Sequence, residues 1–335
     1  MRRISLISKT FSPMSNRKVL TFRPGSIGDC LMGKYFLEQV RATYPGVEAT
    51  IAVPTRVKMV RELLAAYPWI QVVQTKALRL PRRDLVITPY TGGVFPLRTK
   101  LFARLLAKKL IGFSDRSLFN HLLYDKLVQL IGRSRAPRLL ECDALVAAGI
   151  PVSFTQPSFV YVPQPQLLPG LGLQEKGYVV LHLFSGSNAR GLSPDSKRSL
   201  IEELSKTLPV PVVLTGSPVE TASLGTVPHN ARVVQTTLQE FAHLIDHSVA
   251  VVSLDTGAAH IAAHLQKPLV VLASCVGVQW WSKDMYGEGI PTALFTRLDI
   301  CAGGHDYSEY AKCLDAIDMN KVASCIASII EKIDL

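Results

Sequence analysis

Short apolar runs alternate with amphipathic segments along most of the chain. The runs are rich in Val, Ile and Leu and lack period-two alternation, which is typical of strands that a parallel sheet buries on both faces. Strands are predicted at Lys18–Arg23, Ala49–Val53, Asp84–Pro89, Lys109–Phe113, Tyr178–Phe184, Val210–Thr215, Arg232–Gln235, Val249–Leu254 and Leu269–Ala273. Helices are predicted near Leu31–Thr43, Thr99–Lys108, Pro194–Leu208, Ala258–Leu265 and Asn320–Ile333. This alternation predicts a doubly wound α/β fold with parallel sheets.

One proline-rich stretch interrupts the pattern. Between residues 151 and 177 the chain carries five prolines together with Gly170 and Gly172, so a long helix or strand is not expected there. The 335 residues suit two domains rather than one core. We therefore predict an N-terminal domain over 1–155, a linker over 156–177 and a C-terminal domain over 178–335.

The composition indicates an ordinary globular protein, with 48% hydrophobic and 19% charged residues. No apolar stretch approaches the roughly 18 residues of a membrane span, and the basic N-terminus lacks the apolar region of a secretory signal. The six cysteines are dispersed and form no Cys-x-x-Cys pair, so reduced thiols are expected. These features predict a cytoplasmic protein, and leave open a position at the inner face of the cytoplasmic membrane.

The net charge of +11 is concentrated in one stretch. Residues 98–138 hold ten Lys or Arg against only Asp115 and Asp125. Such a stretch is either a solvated face or the binding surface of an acidic partner. Because Arg98, Arg104 and Lys108 are spaced roughly as on a helix with interleaved leucines, peripheral contact of 98–138 with an anionic membrane is one interpretation. Nucleic acid is disfavoured, because no zinc-finger, RRM or KH signature is present.

Three predicted strands end in small and polar residues, where an open parallel sheet places its ligands. After the first strand come Gly25, Ser26, Gly28 and Asp29, in a turn whose free N–H groups suit an anion. This turn is neither a GxGxxG fingerprint nor a Walker loop. The Asp29 carboxylate is either a helix cap or a general base that faces a cleft.

The second strand end offers hydroxyl groups and a cation. Ser185, Gly186 and Ser187 are followed by Arg190, a set that suits a diphosphate and the negative charge of a leaving group. An ordinary polar loop is the alternative interpretation.

The third strand end is the most specific. A buried strand runs into Asp255, Thr256 and Gly257 and then a small-residue helix that includes His260, so that backbone N–H groups would point at a phosphate along the helix dipole. Glu220, after another strand, would accept hydrogen bonds from ribose hydroxyls or act as a first-turn helix acid.

Two of these segments resemble a known family. Gly25-Ser26-Ile27-Gly28-Asp29 is similar to the N-terminal loop of glycosyltransferase family 9, the bacterial lipopolysaccharide heptosyltransferases. Asp255-Thr256-Gly257-Ala258-Ala259-His260 resembles that family's D-[ST]-G-x-x-H motif. The resemblance extends from about Lys18 to Ile330 and implies the GT-B fold, in which two Rossmann-like domains face each other across a cleft.

The resemblance also implies a reaction. It is inverting, metal-independent transfer from an ADP-heptose-type donor bound by the C-terminal domain to a lipopolysaccharide core or related glycan acceptor bound by the N-terminal domain. No cofactor is expected, and the chain contains no Asp-x-Asp pair that could hold a divalent ion against the diphosphate.

Individual roles follow from the same resemblance. Asp29 is the catalytic base, beside the acceptor-side loop residues Gly25, Ser26 and Gly28. Arg190 lies near a basic residue that stabilises the departing diphosphate. The remaining matched positions would bind the donor, with Glu220 on the ribose, Thr236 beside the nucleoside and Asp255, Thr256, Gly257 and His260 lining the site.

Some features depart from the family or remain unassigned. The usual Lys/Arg-x-Trp-Pro signature reads Arg190-Gly191-Leu192-Ser193-Pro194 here, and the missing tryptophan leaves the donor open. No metal site is expected at His260 and His264 because no third ligand is evident. No chemistry is assigned to Cys301, His305 and Cys313. Trp280, Trp281 and Tyr286 would either stack on a ligand or pack in the core, and packing is favoured.

Two other functions are compatible with the sequence. One is a GT-B enzyme that uses a different nucleotide sugar. The other is a non-catalytic basic binding protein on the same scaffold. A nicotinamide-dependent dehydrogenase is disfavoured by the missing GxGxxG.

Overall fold

Two six-stranded parallel sheets form the framework of the computed structural model, which describes residues 17–79, 82–89, 96–114, 120–129, 136–153, 155–301 and 309–333. The first sheet contains β1 Lys18–Phe22, β2 Glu48–Val53, β3 Ile70–Gln74, β4 Arg83–Ile87, β5 Ala107–Phe113 and β6 Lys126–Val128. The second contains β7 Val179–His182, β8 Val212–Thr215, β9 Ala231–Val234, β10 Ala250–Leu254, β11 Leu269–Leu272 and β12 Ala293–Phe295.

Both sheets have the same strand order. The first runs β3-β2-β1-β4-β5-β6 and the second runs β9-β8-β7-β10-β11-β12, which is the 3-2-1-4-5-6 order of a Rossmann sheet repeated in each half. The strands stay parallel, but the direction in which successive strands are added across the sheet changes between β1 and β4 in one sheet and between β7 and β10 in the other. Ligands are therefore expected beyond the carboxyl ends of these four strands.

Helices cover the sheets. Those of the first half are α1 Ile27–Thr43, α2 Val57–Leu63, α3 Leu97–Leu106, α4 Asn120–Leu123 and α5 Pro137–Ala148. The short α6 Leu167–Gly170 is the helix of the stretch between the sheets. Those of the second half are α7 Pro194–Thr207, α8 Pro218–Ala222, α9 Leu238–His247, α10 Gly257–His264, α11 Lys283–Tyr286, α12 Lys312–Asp315 and α13 Met319–Glu331. The predicted doubly wound α/β fold is confirmed.

Three strands were missing from the predicted set: β3, β6 and β12. Each lies at an edge of its sheet. The β6 and β12 strands have only three residues each, and β3 carries glutamine at two of its five positions. Edge strands need no continuous apolar run, because they are buried less completely than central strands.

The two halves pack against each other through three helix pairs: α1 with α10, α2 with α9, and α5 with α11. One apolar cluster runs through this contact and includes Leu31 of α1, Ala259 of α10 and Tyr286 of α11. Polar bonds add to it, since the Arg138 guanidinium donates to the Met285 carbonyl over 3.1 Å. The carboxyl ends of β1 and β10 are thereby held on either side of a shared cleft.

Candidate active site

A pocket of about 280 Å³ opens where the loops after β1, β7, β10 and β11 meet. It is lined by Ser26, Asp29, Ser187, Arg190, Asp255, His260, Val276, Gly277 and Trp280. Six of these nine residues were predicted as site residues from the sequence. The structure thus brings the three predicted strand-end segments together in one place, with side chains from both halves of the chain.

Asp29 lies in the first turn of α1 and is not the residue that caps it. Ser26 is the N-cap, and its Oγ accepts a hydrogen bond from the Asp29 backbone N–H over 3.2 Å. The Ser26 hydroxyl in turn donates to Asp29 Oδ2 over 2.5 Å. Burial raises the pKa of Asp29, while the Ser26 hydrogen bond and the nearby Arg23 charge partly oppose that shift. The result is a carboxylate with increased proton affinity at the wall of the pocket.

A buried ion pair lies behind Asp29. Arg23, directly after β1, donates from both terminal nitrogens to Glu141 of α5, over 2.7 and 2.9 Å. The two side chains are only 2% and 4% exposed, so the bidentate geometry offsets the cost of removing both charges from water. Glu141 was not predicted. An acid on the apolar face of α5, beside buried Leu140 and Leu145, was the signal available in the sequence.

Arg190 faces Asp29 from the other half of the molecule. It ends a short 3₁₀ turn over Asn188–Arg190, and its side chain is 39% exposed. Its NH1 atom lies 3.9 Å from Asp255 Oδ2, which is too long for a hydrogen bond. Within the part of the chain that the structure describes, the guanidinium donates no hydrogen bond, so its donors can bind an anion in the pocket.

Asp255 is buried and held in place by Trp281. The indole Nε1–H donates to Asp255 Oδ1 over 3.0 Å. Burial raises the pKa of Asp255 to about 6, against the opposing effects of Arg190 and the Trp281 hydrogen bond. A Cβ on Gly277 would lie 1.9 Å from Asp255 Oδ2, so the loop after β11 requires glycine at this close approach.

His260 is a neutral member of an aromatic cluster. Its Nδ1 is hydrogen-bonded to the Tyr286 hydroxyl at 2.5 Å, and its ring stacks on Trp281 with centroids 4.9 Å apart. Burial, together with the smaller effect of the Arg190 charge, lowers the pKa of His260 to about 3. An uncharged imidazole forms no ion pair, so its 3.9 Å approach to Asp255 is a packing contact.

Two glycines allow the halves to meet at the pocket. A Cβ on Gly28 would lie 2.4 Å from the His260 ring, and a Cβ on Gly257 would lie 2.7 Å from Ile27. Both distances are shorter than any ordinary carbon contact. Because they lack a Cβ, Gly28 and Gly257 therefore allow the close approach of the two halves.

The other predicted residues are not among those that line the pocket. Thr256 is the N-cap of α10 but makes no side-chain capping bond, so backbone N–H groups at this helix start have no side-chain cap. Ser185 Oγ accepts from the Ser187 backbone N–H over 3.3 Å. Glu220 completes a capping box in α8 and accepts from the Ser217 N–H over 2.8 Å. Gly25 has a positive φ of 99° in the turn before α1.

The remaining predicted positions are Gly186, which is exposed, and Thr236, which is half-buried between β9 and α9. Of the three aromatics, Trp280 lines the pocket, whereas Trp281 and Tyr286 are buried packing residues. Val276 and Gly277, in the loop after β11, were missed as wall residues. Cys301 Sγ lies 2.8 Å from Cys275 Sγ, Cys313 is buried, and His305 falls outside the described residues.

Comparison with known proteins supports the predicted resemblance. Residues 198–273 match the family model described as glycosyltransferase family 9 (heptosyltransferase). The chain resembles glycosyltransferase family 9. No curated protein sequence matches it. Among solved structures, the family 9 glycosyl transferase from Veillonella parvula is 14% identical with a TM-score of 0.71, over 96% of this chain and 99% of that one.

Two further solved structures extend the comparison. The E. coli heptosyltransferase WaaC with ADP-2-deoxy-2-fluoro heptose is 17% identical with a TM-score of 0.67, over 93% of this chain and 99% of that one. The iron-containing dodecameric glycosyltransferase TibC from E. coli is 15% identical with a TM-score of 0.54, over 96% and 78%. At these identities the likeness shows the fold, and the predicted GT-B fold is confirmed.

Proposed function

We propose that this protein is an inverting glycosyltransferase with Asp29 as its general base. The donor is a nucleotide-diphosphate sugar, with ADP-heptose as the first candidate, and the acceptor is a lipopolysaccharide core or a related glycan. One observation carries the proposal: the Asp29 carboxylate of one domain and the Arg190 guanidinium of the other line the same pocket. That arrangement supplies a base and an anion-binding cation on either side of a reacting carbon.

The reaction is a single displacement. Asp29 takes the proton of an acceptor hydroxyl while that oxygen forms a bond to the anomeric carbon of the sugar. The bond from this carbon to the diphosphate oxygen breaks, and the nucleoside diphosphate leaves with the bonding electrons. Attack from the side opposite the diphosphate inverts the configuration. The raised pKa of Asp29 suits this role, because a stronger base accepts the hydroxyl proton more readily.

The second half of the chain provides the groups for the leaving diphosphate. Arg190 stabilises its negative charge, and the start of α10 after Thr256 contributes backbone N–H groups and the helix dipole. The Ser185 and Ser187 hydroxyls add donors from the loop after β7. Glu220 and Thr236 are proposed to contact the ribose and the nucleoside, as the family resemblance implies.

Metal-independent transfer is part of the proposal. Arg190 and the α10 helix dipole would provide the charge compensation that a divalent ion provides in other sugar transferases. Within the described residues, no group of three His, Cys, Asp or Glu is placed to hold an ion. Since TibC is iron-containing, chelation belongs in the test.

The positive charge of the first half supports the proposed acceptor. The first half carries the basic stretch 98–138, which would attract a phosphorylated glycan or glycolipid. A protein with such an acceptor would work at the inner face of the cytoplasmic membrane. Among the described residues, no helix has the length and apolarity needed to cross a bilayer.

Calorimetric titration with ADP, UDP and GDP, with magnesium and with EDTA, tests this proposal. We expect ADP to bind tighter than UDP or GDP by about tenfold, which is about 1.4 kcal/mol, and EDTA to leave that affinity unchanged. Arg190→Ala should weaken ADP binding, whereas Arg198→Ala, an exposed arginine of α7, should not. Tightest binding of UDP or GDP would contradict the ADP-sugar assignment. Absence of nucleotide binding would favour a non-catalytic basic protein.

A further inference from the structure

Helix α3 presents a stripe of leucines to solvent. Leu97, Leu101 and Leu105 follow each other at intervals of four residues and are 43%, 47% and 62% exposed. Residues four apart lie on one face of a helix, so the three side chains form a continuous apolar row. The opposite face of α3 is buried through Ala103 and Leu106. The exposed row is therefore a second apolar face rather than part of the core.

The neighbouring helix extends this surface. Leu122 of α4 is 79% exposed, and α4 packs beside α3. The two helices are tied together because Lys100 Nζ donates to Asn120 Oδ1 over 2.8 Å and Arg104 NH1 donates to the Leu123 carbonyl over 3.3 Å. Four leucines are thus held at the surface by buried and half-buried polar bonds. We call Leu97, Leu101, Leu105 and Leu122 the leucine surface.

Exposed cations lie on the same segments of chain as the leucine surface. Arg98 is exposed on α3, and Lys126 is exposed at the start of β6. Lys108, the second residue of β5, is 65% exposed and pairs with Asp84, while Arg104 pairs with Asp125. Two acids thus neutralise two cations, and the exposed Arg98 and Lys126 add to the positive charge. A positively charged rim around apolar side chains matches an anionic bilayer, in which acyl chains lie beneath anionic headgroups.

The direction of α3 relates this surface to the pocket. The helix ends at Leu106 and leads directly into β5, whose first residue pairs with Arg83 at the amino end of β4. Its last turn is therefore at the amino edge of the sheet. Its first turn, about 15 Å away for ten residues, points towards the carboxyl edge, where Ser26 and Asp29 lie. A bilayer along α3 would lie beside the domain to which the proposed function assigns the acceptor.

We propose that the leucine surface and its cationic rim form a peripheral docking site for an anionic lipid bilayer. Leu101 and Leu105 enter the boundary between headgroups and acyl chains, and Arg98 and Lys126 contact the headgroups. The site requires neither nucleotide nor sugar. Its failure is therefore distinguishable from failure of the proposed transferase reaction.

Vesicle sedimentation of the full-length protein tests this docking. In about 0.1 M salt, we expect binding to phosphatidylcholine vesicles that contain about 30% phosphatidylglycerol, and binding weaker by about fivefold or more to pure phosphatidylcholine. The double variant Leu101→Ser/Leu105→Ser should lose binding to the anionic vesicles by a similar factor. The control is Val219→Ser/Leu298→Ser, which removes one valine and one leucine side chain that are 83% and 46% exposed on the other half. It should bind as the unmodified protein does.

A second measurement covers the case in which the serine variant fails to fold. The fluorescence of the tryptophan introduced by Leu105→Trp should be quenched by brominated lipid in anionic vesicles. The fluorescence of the tryptophan introduced by Val219→Trp should not be quenched. Equal binding of the two double variants, or equal quenching of the two tryptophans, would overturn the proposal. So would a dimer in vesicle-free sedimentation that Leu101→Ser/Leu105→Ser converts to a monomer, because the leucine surface would then bind a second copy.

Discussion

Three carboxylates near the pocket differ in what surrounds them. Glu141 is paired with Arg23 through both oxygens, the Asp29 carboxylate has a serine hydroxyl as its one hydrogen-bond partner among the residues that the structure describes, and Asp255 has an indole N–H. Burial alone raises the pKa of a carboxyl group, so the partner decides how much of that effect remains. Asp29 and Asp255 keep a raised pKa. The raised pKa leaves the Asp29 carboxyl at the pocket wall able to take up a proton.

The Arg23–Glu141 pair provides a stability prediction at the residue scale. Glu141→Gln leaves the Arg23 charge buried without a countercharge, so the free energy of unfolding should fall by about 3 kcal/mol or more. Urea denaturation at pH 7 measures this change. The control is Glu48→Gln, because Glu48 pairs with Lys18 at the surface with side chains 57% and 37% exposed. That change should cost less than about 1 kcal/mol. Equal losses in the two variants would contradict the buried pair.

At the element scale, the contact between α1 and α10 positions the two halves of the site. Gly28 of α1 lies against the His260 ring, and Gly257 of α10 lies against Ile27. Each helix therefore carries a glycine at the point where the other helix approaches. His260 is fixed from behind by Tyr286 and Trp281, so it has little room to move away.

Gly28→Ala should separate these helices. Alanine is the better helix former by about 1 kcal/mol, but its Cβ would lie 2.4 Å from the His260 ring, and the clash outweighs the gain. We expect a net loss of about 1–3 kcal/mol in the free energy of unfolding, as an overpacked core shows, measured by thermal denaturation. Gly170→Ala in α6 is the control, since nothing lies within 4 Å of its added Cβ. An unchanged midpoint in Gly28→Ala would mean that the contact is absent in solution.

At the scale of the whole molecule, the central strands and the strand-end segments could be predicted from the sequence, and the edges could not. Strands such as β10, with every residue buried, carry the apolar run that identifies them. The missed strands β3, β6 and β12 are edge strands that are short or partly polar. These segments become strands because they pair with a neighbouring strand. That pairing cannot be seen in their own sequence.

The site residues likewise fall into those that could be predicted from the sequence and those that could not. Asp29, Arg190, Asp255 and His260 follow strands in recognisable segments, and the fold brings them into one pocket. Glu141 comes from a helix more than a hundred residues beyond its partner Arg23, and only the tertiary structure shows the pairing. Gly277 likewise has no distinctive neighbours in sequence, and its role is visible only from its contact with Asp255.

The central claim is that Asp29 is the base of a transfer reaction whose donor binds the other domain. The most direct test is the turnover number of Asp29→Asn, measured with the nucleotide sugar whose nucleotide binds most tightly and a glycan acceptor. We predict a fall of about 10²–10⁴-fold in kcat, the usual contribution of a general base, with nucleotide affinity nearly unchanged. Asp195→Asn, at an exposed residue of α7, should keep full turnover. Substantial turnover by Asp29→Asn would contradict the account.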